Sequence, residues 1–260
     1  GASLAGIGLD EHGLVVDELA HTRARLVYTT PHHQYPTAVV LSPARRIELL
    51  AHAHRERLAI LEDDYDHEFH FEGRPVAPLA ATDQFRSVIY VGTLSKILAP
   101  GLRLGFVAAT ERVIEQLARL RAIVDRQGDH VLETSIAELI EDGELARHAR
   151  TMRRIYAARR HALGAALRRE LGSALSFELP PGGITLWARV AGDIDLDEWQ
   201  RRAFDRGVSV ACARDFALDR RARPFMRLGF AHLTEGELAA AVRDLARALP
   251  RRTRAIDAPR

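Results

Sequence analysis

The chain has 260 residues, with 37 Lys and Arg against 35 Asp and Glu, so its formal net charge is only +2. This balance does not indicate wholesale nucleic-acid binding, and no apolar run approaches the roughly 20 residues that a membrane-spanning helix needs. Cys212 is the only cysteine, which excludes an intrachain disulfide and predicts a reducing, cytoplasmic compartment.

The first half of the chain has the pattern of an α/β sheet. Apolar runs without polar alternation predict buried strands, which suit a sheet covered on both faces. These runs lie at 25–29, 58–62, 87–92 and 104–109. Ser42 and Pro43 are typical of a helix start, and a helix between the first two strands predicts parallel pairing. Further helices are predicted at 111–126 and 129–140.

The second half alternates shorter elements after a long helix, which is predicted at 144–171. Further elements are expected as strands at 175–179, 184–190, 208–211 and 225–230, and as helices at 196–205 and 235–249. We therefore predict part of a large α/β sheet domain at 1–141, a small α+β domain at 142–250 that the long helix joins to it, and a tail at 251–260.

A polar cluster follows the strand predicted at 87–92. Lys96 is the only lysine of the chain, and the other 36 basic residues are arginine. Thr93 and Ser95 precede Lys96, and Arg103 comes seven residues after it. Hydroxyls and an arginine beyond the carboxyl end of a strand suit a phosphate group. A lysine beside them either binds as a point charge or forms a Schiff base with an aldehyde.

A second cluster follows the strand predicted at 58–62. It reads Glu62, Asp63, Asp64, Tyr65 and Asp66. Two strands thus deliver an acid and a lysine to the same edge of the sheet. Pyridoxal 5'-phosphate needs such groups, because its aldehyde takes a lysine, its pyridine nitrogen a carboxylate and its phosphate several donors.

Three segments carry a resemblance to a known family, namely TPHHQYPTA at 30–38, EDDYD at 62–66 and VIYVGTLSKILAPGLRLGF at 88–106. With these motifs the chain resembles the class I/II aminotransferases of the pyridoxal-phosphate-dependent transferase fold type I. It is most similar to the aminotransferase-like domain of MocR-type regulators, which belong to the GntR superfamily. The resemblance extends over about residues 5–248, and it implies an α/β fold with a homodimeric assembly.

The resemblance also implies a role for individual residues. Lys96 would hold the cofactor aldehyde, Asp63 the pyridine nitrogen and Tyr65 the phenolate oxygen. Further residues would contact the phosphate (Thr93, Ser95, Arg103), border the ring (His33, Tyr35) or bind the substrate carboxylate (Arg227, with Arg214 the weaker candidate). Tyr35 stands where aminotransferases usually have Asn, and Ala38 stands where they have Gly, which leaves the backbone geometry of this loop open.

Several alternatives remain at this point. The same site serves an aminotransferase, which moves an amino group from an amino acid to a 2-oxo acid, and a MocR-type sensor of an amino acid or amine. The family's winged-helix DNA-binding domain and first cofactor-binding segment are not in the sequence, which predicts an N-terminally truncated chain and weak cofactor binding. The Arg-rich stretch at 147–169 also suits an interaction module without cofactor. Histidines recur with local spacing at His32/His33, His52/His54 and His67/His70, but neither a Cys partner nor an HExxH pattern supports a site, so no metal is predicted.

Overall fold

The computed structural model describes residues 1–252, which form two compact units. The first unit contains residues 1–35 and 39–153, and the second contains residues 36–38 and those from 154 onward, so the division falls within the long helix. The assignment of 1–141 and 142–250 to a large and a small domain stays a prediction. Most of the predicted tail, at 253–260, lies outside the described residues.

The first unit is built on a four-stranded sheet in the order β3, β4, β5, β6. The strands are β3 (Leu26–Thr29), β4 (Ala59–Asp64), β5 (Val88–Thr93) and β6 (Gly105–Ala108). The pairs β3–β4 and β4–β5 are parallel, as predicted for strands joined by a helix, and β6 is antiparallel to β5. The carboxyl ends of β3, β4 and β5 therefore meet at one edge, where candidate site residues follow β4 and β5.

Burial of the last strand differs from the sequence prediction. All four residues of β6 are exposed, although its apolar run predicted a buried strand. Helix α3 (Glu111–Val124), which follows it, has no buried residue either. Within the described residues β6 pairs on one side only, with β5, so it is an edge strand with no covering layer. The apolar composition predicted the strand correctly, but it does not show whether residues of this chain cover the strand.

Three further helices belong to the first unit, namely α1 (Pro43–Glu56), α2 (Leu79–Thr82) and α4 (His130–Glu141). The unit also contains an N-terminal hairpin of β1 (Leu9–Asp10) and β2 (Gly13–Leu14), and two 3₁₀ turns at Val16–His21 and Pro100–Leu102. Ser42 caps α1 by accepting a hydrogen bond from the Arg45 amide, and Pro43 opens its first turn. The apolar face of α1 packs on the sheet in a core that includes Leu41, Leu49, Leu50, Ala53, Ile60 and Val88.

The second unit has an antiparallel sheet in the order β7, β8, β10, β9. Its strands are β7 (Leu175–Ser176), β8 (Thr185–Val190), β9 (Ala211–Cys212) and β10 (Phe225–Gly229), and its other elements are most of α5 (Glu144–Leu171) with α6 (Leu196–Phe204), α7 (Ala213–Phe216) and α8 (Glu235–Arg247). The indole of Trp199 on α6 is fully buried and donates to the Leu245 carbonyl on α8 at 2.9 Å. This bond ties the two helices together in an α+β arrangement.

In the part of the chain that the structure describes, none of the helices combines the length and apolar character needed to cross a membrane.

Candidate functional site

The carboxyl end of β4 presents three acids on two faces of the sheet. Successive strand residues point to opposite faces, so Glu62 and Asp64 are buried on one face while Asp63 is half-buried on the other. Glu62 accepts hydrogen bonds from the amides of Leu79 (2.7 Å) and Ala80 (2.9 Å) at the start of α2. Burial raises the pKa of Glu62. Glu62 therefore caps a helix, and Asp63 and Asp64 remain for chemistry on either face.

Asp63 is held by a tyrosine that the sequence analysis did not single out. The hydroxyl of Tyr28 on β3 donates to Asp63 Oδ2 at 2.6 Å. Desolvation and the Asp63 carboxylate raise the pKa of Tyr28, so it stays a proton donor. Tyr28 lies opposite Leu61 in the β3–β4 register, and Leu61 and Asp63 share a face. The β3–β4 register would have predicted the contact between Tyr28 and Asp63, but only if the parallel pairing of these strands were already known.

Lys96 is presented outward by a turn anchored on apolar side chains. Leu94 and Ile97, on either side of it, are buried, and Lys96 itself is exposed. Thr93 Oγ1 accepts a hydrogen bond from the Ser95 amide at 3.1 Å, which orders the first residues after β5. Among the described residues, Lys96 makes no hydrogen bond or salt bridge, so its amine is available to a ligand.

Arg103 also has no anionic partner in the described part of the chain, and it is exposed. Its backbone is left-handed, with φ of 52°, directly after the 3₁₀ turn Pro100–Leu102. The adjoining Leu104 carbonyl accepts a hydrogen bond from the Leu94 amide at 3.1 Å. This bond joins the two ends of the 94–104 loop, which carries two cations without partners.

Tyr65 and Tyr35 lie together beyond β4, and His33 positions the first of them. The Tyr65 hydroxyl donates to the His33 carbonyl at 3.0 Å, and the Tyr35 and Tyr65 rings meet edge to face, 6.5 Å apart. The His33 imidazole is only 2% exposed, and its Nδ1 lies 2.8 Å from Asp66 Oδ1. The His33 ring therefore contacts the buried Asp66 carboxylate, while the His33 carbonyl orients the Tyr65 hydroxyl.

Asp64 lies among two histidines and a tyrosine on the other face. Its Oδ1 is 3.2 Å from His32 Nδ1 and its Oδ2 is 3.2 Å from His67 Nδ1, while the Tyr90 hydroxyl donates to Oδ2 at 2.8 Å. Burial by itself would raise the pKa of Asp64, but contacts with His32, His67 and Tyr90 outweigh it and hold that pKa well below its usual range. Asp64 also raises the pKa of His67.

The candidate for the substrate carboxylate, Arg227, is in the second unit. It is half-buried on β10, opposite Trp187 of β8 and Ala211 of β9. The weaker candidate, Arg214, makes a surface salt bridge to Asp197 with a 2.6 Å contact, so its head group already has a carboxylate partner.

Comparison with known proteins now identifies the family. The model of the aminotransferase class I and II family matches residues 15–245, and the chain belongs to this family. It is 31% identical over 249 residues to the aromatic-amino-acid aminotransferase 1 of Thermococcus litoralis, covering 92% of this chain and 60% of that protein. It is 32% identical over 211 residues to the probable rhizopine catabolism regulatory protein MocR of Rhizobium meliloti, covering 81% and 43%.

A solved structure gives the same result for the fold. LysN, the α-aminoadipate aminotransferase of Thermus thermophilus, solved with N-(5'-phosphopyridoxyl)-L-leucine, is 27% identical with a TM-score of 0.86, over 93% of this chain and 64% of that one. The predicted fold, an α/β pyridoxal-phosphate-dependent transferase of fold type I, is confirmed. The chain spans about half the length of the curated relatives it matches.

The family implies pyridoxal 5'-phosphate, and the residues of the first unit fit that group. Among residues 1–252, the Asp63 carboxylate has one hydrogen-bond donor, Tyr28, the Lys96 amine has no partner, and Arg103 has no anion and so suits a phosphate. Asp63 lies at the carboxyl end of β4, and Lys96 and Arg103 follow β5, at the edge where parallel α/β sheets bind ligands.

Proposed function

We propose that the protein binds pyridoxal 5'-phosphate at the carboxyl edge of β4 and β5 and transfers an amino group from an amino acid to a 2-oxo acid. The observation that supports this most is the placement of Asp63 and Lys96. Asp63 lies at the carboxyl end of β4, Lys96 follows the parallel neighbour β5, and Lys96 has no partner among the described residues. When bound, pyridoxal phosphate supplies an electron sink for cleavage of the Cα–H bond.

Each residue has a distinct task in this proposal. Asp63 keeps a proton on the pyridine nitrogen, and the Tyr28 hydroxyl fixes the carboxylate that does so. Tyr65, oriented by the His33 carbonyl, donates to the phenolate oxygen. Arg103, Thr93 and Ser95 bind the phosphate, and Arg227 takes the substrate carboxylate through its planar guanidinium.

Lys96 does the proton work. Its Nζ would hold the cofactor aldehyde until a substrate amine takes its place, and the freed Nζ would then move the proton from Cα to the cofactor carbon. Arginine is unsuited to this task because its guanidinium is never neutral at working pH. We further propose that the protein acts as a homodimer in the cytoplasm, which its family and its single cysteine support.

Substitution of Lys96 tests the site in the natural full-length protein. Lys96→Ala and Lys96→Arg are both expected to lose the absorption band of lysine-bound cofactor and its trapping by borohydride, and to lower turnover by about 10³-fold or more. Asp63→Asn is expected to keep the trapping and lose turnover. Arg86→Ala, an exposed arginine before β5, serves as the control that retains both.

Trapping that persists in Lys96→Ala overturns the assignment of Lys96. Lys96 is the only lysine of this chain, so a trapped label is expected on the peptide that contains it. A label found elsewhere excludes the proposed site.

A second function is supported by the relatives. Several are described as HTH-type transcriptional regulators, at 28–31% identity over more than nine-tenths of this chain. In that case the same residues sense an amino acid or amine, and exchange at Lys96 shifts a conformational equilibrium instead of completing turnover. DNA would be bound by a winged-helix domain outside this sequence.

The two functions are separated by measuring amino-group transfer and DNA affinity on one preparation of the natural protein. An aminotransferase converts an amino acid and a 2-oxo acid catalytically, with no dependence on DNA. A regulator changes its DNA affinity when an amino acid is added and shows no multiple turnover, and Lys96→Ala is expected to abolish that change. A change in DNA affinity that survives in Lys96→Ala excludes sensing through this site.

A further inference from the structure

The cluster of His32, Asp64 and His67, called the His–Asp–His cluster below, lies on the face of β4 opposite Asp63. His32 lies between β3 and α1, Asp64 ends β4 and His67 follows three residues later, so two separate stretches of chain contribute. One nitrogen or oxygen atom from each lies within 4.8 Å of the others. Nothing in the proposed aminotransferase chemistry uses this cluster.

Hydrogen bonding fixes the protonation pattern of His32. Its Nε2 lies 2.6 Å from the Val76 carbonyl, and a carbonyl only accepts, so Nε2 carries a hydrogen. In a neutral imidazole the other nitrogen, Nδ1, then has a lone pair. Nδ1 faces Asp64 Oδ1 at 3.2 Å, which also presents lone pairs. Nδ1 and Oδ1 therefore need a positive charge between them, which either a proton on Nδ1 or a metal ion supplies.

The contacts inside the cluster also fail as hydrogen bonds. His32 Nδ1, Asp64 Oδ1 and His67 Nδ1 are buried atoms without a hydrogen-bond partner, although each lies 3.2 Å from a neighbour in the cluster. His32 and Asp64 are 8% and 4% exposed. Metal–ligand distances of about 2.0–2.1 Å place tetrahedral ligand atoms about 3.3 Å apart. The two contacts to Asp64 have this spacing, and all three ligand atoms lie within 4.8 Å of one another.

We propose that the His–Asp–His cluster binds one divalent transition-metal ion of the zinc class, through His32 Nδ1, His67 Nδ1 and the Asp64 carboxylate. Two imidazoles and one carboxylate form a ligand set that occurs at catalytic zinc sites and also suits other transition metals, whereas magnesium and calcium prefer oxygen ligands alone. The Val76 carbonyl orients His32 from behind, as outer-shell acceptors do in zinc sites. A fourth position is left for water.

Such an ion ties together the two loops that border the proposed cofactor. His32 is next to His33, whose carbonyl holds Tyr65, and His67 is two residues after Tyr65. The sequence predicted no metal because neither a Cys partner nor an HExxH pattern accompanies the histidines. His32 and His67 are 35 residues apart, and only the β3–β4 pairing brings their loops together. The ion has a positioning role and touches no reacting atom.

The experiment is a titration of the chelator-treated full-length protein with ZnCl₂, followed by calorimetry, and with CoCl₂, followed by visible absorption. The expected result is one equivalent bound, with the ligand-field bands of a nitrogen and oxygen site for cobalt. Zinc at 100 times its dissociation constant is expected to raise the unfolding midpoint by about 5 °C. Failure to bind one equivalent of either ion overturns the proposal.

Variants locate the site. His67→Asn and Asp64→Asn are expected to weaken zinc binding by more than about 100-fold, because even an outer-shell partner is worth about 10–100-fold. His67 is the most exposed of the three, so His67→Asn is the variant expected to fold, and circular dichroism checks it. His130→Asn, an exposed histidine on α4, is the matched control. Undiminished binding by His67→Asn overturns the proposal.

The result is independent of the proposed cofactor site. Lys96→Ala is expected to bind zinc as the wild-type protein does, with pyridoxal phosphate absent from the titration. Zinc binding that disappears in Lys96→Ala but not in His67→Asn assigns the ion to the cofactor site and overturns the His–Asp–His cluster as its ligand set.

Discussion

Two non-glycine residues with left-handed backbones lie in the segments that carry the proposed cofactor site. Ala38 has φ of 62° and Arg103 has φ of 52°. This conformation costs an L-residue about 1–2 kcal/mol. It is not a functional mark in itself, because Arg57 adopts it as the C-cap of α1. At Ala38 it closes the loop, since the Gln34 amide donates to the Val39 carbonyl at 2.7 Å.

Ala38 stands where related aminotransferases have glycine, and the loop keeps the left-handed backbone that glycine adopts freely. Ala38→Gly is expected to raise the free energy of unfolding by about 0.5 kcal/mol, as relief of strain exceeds the loss of a buried methyl group and the added chain entropy. Chemical denaturation measures this change. Ala53→Gly, a buried alanine inside α1, is the control and is expected to lose about 1 kcal/mol or more. Equal losses in both variants contradict the prediction.

At the scale of elements, α1 holds the loop before it through one buried arginine. Arg46 is 5% exposed, and it donates to the carbonyls of Leu41 (2.9 Å), Ala77 (2.8 Å) and Pro31 (3.1 Å). Burial lowers the pKa of Arg46, against the opposing effect of Glu62 and Asp64. Pro31 directly precedes His32 and His33, so the contact with Arg46 fixes the backbone position from which both histidines follow.

Arg46→Met is expected to lower the free energy of unfolding by about 2 kcal/mol or more, because the Leu41 and Ala77 carbonyls lose the guanidinium donor and the Pro31 carbonyl keeps only the Leu41 amide. Arg55→Met, on the exposed side of the same helix, is expected to change it by less than about 0.5 kcal/mol. Denaturation followed by helical circular dichroism measures both. An Arg46→Met protein as stable as Arg55→Met shows that the carbonyls find other donors.

At the scale of the whole molecule, long periodic elements were predictable and contacts between elements were not. The helix at 144–171 was predicted with both ends correct, because its pattern persists over 28 residues. The strand expected at 208–211 is instead two residues long, Ala211–Cys212. Tyr28 and the His–Asp–His cluster were missed because they depend on which strands pair, which local patterns do not encode.

The motifs around Lys96 and Asp63 were recognisable because both follow apolar strands. Their proposed roles came from the resemblance, and they stay predictions that the Lys96 variants test. The exposure of β6 was not predictable, since an apolar run looks the same whether the chain itself or another layer covers it.

Because β4 is pleated, its register against β3 and β5 decides which side chains lie on each face of the sheet. Suppose that one residue is deleted near Ala59 while the pairing to β3 and β5 is kept. Asp64 then takes the place of Asp63 beside Tyr28, so that face keeps a carboxylate. Tyr65 takes the place of Asp64 against His32, and that face exchanges its carboxylate for a phenol. A single-residue deletion would therefore keep a carboxylate beside Tyr28 and remove the carboxylate beside His32, although the two acids are adjacent in the chain.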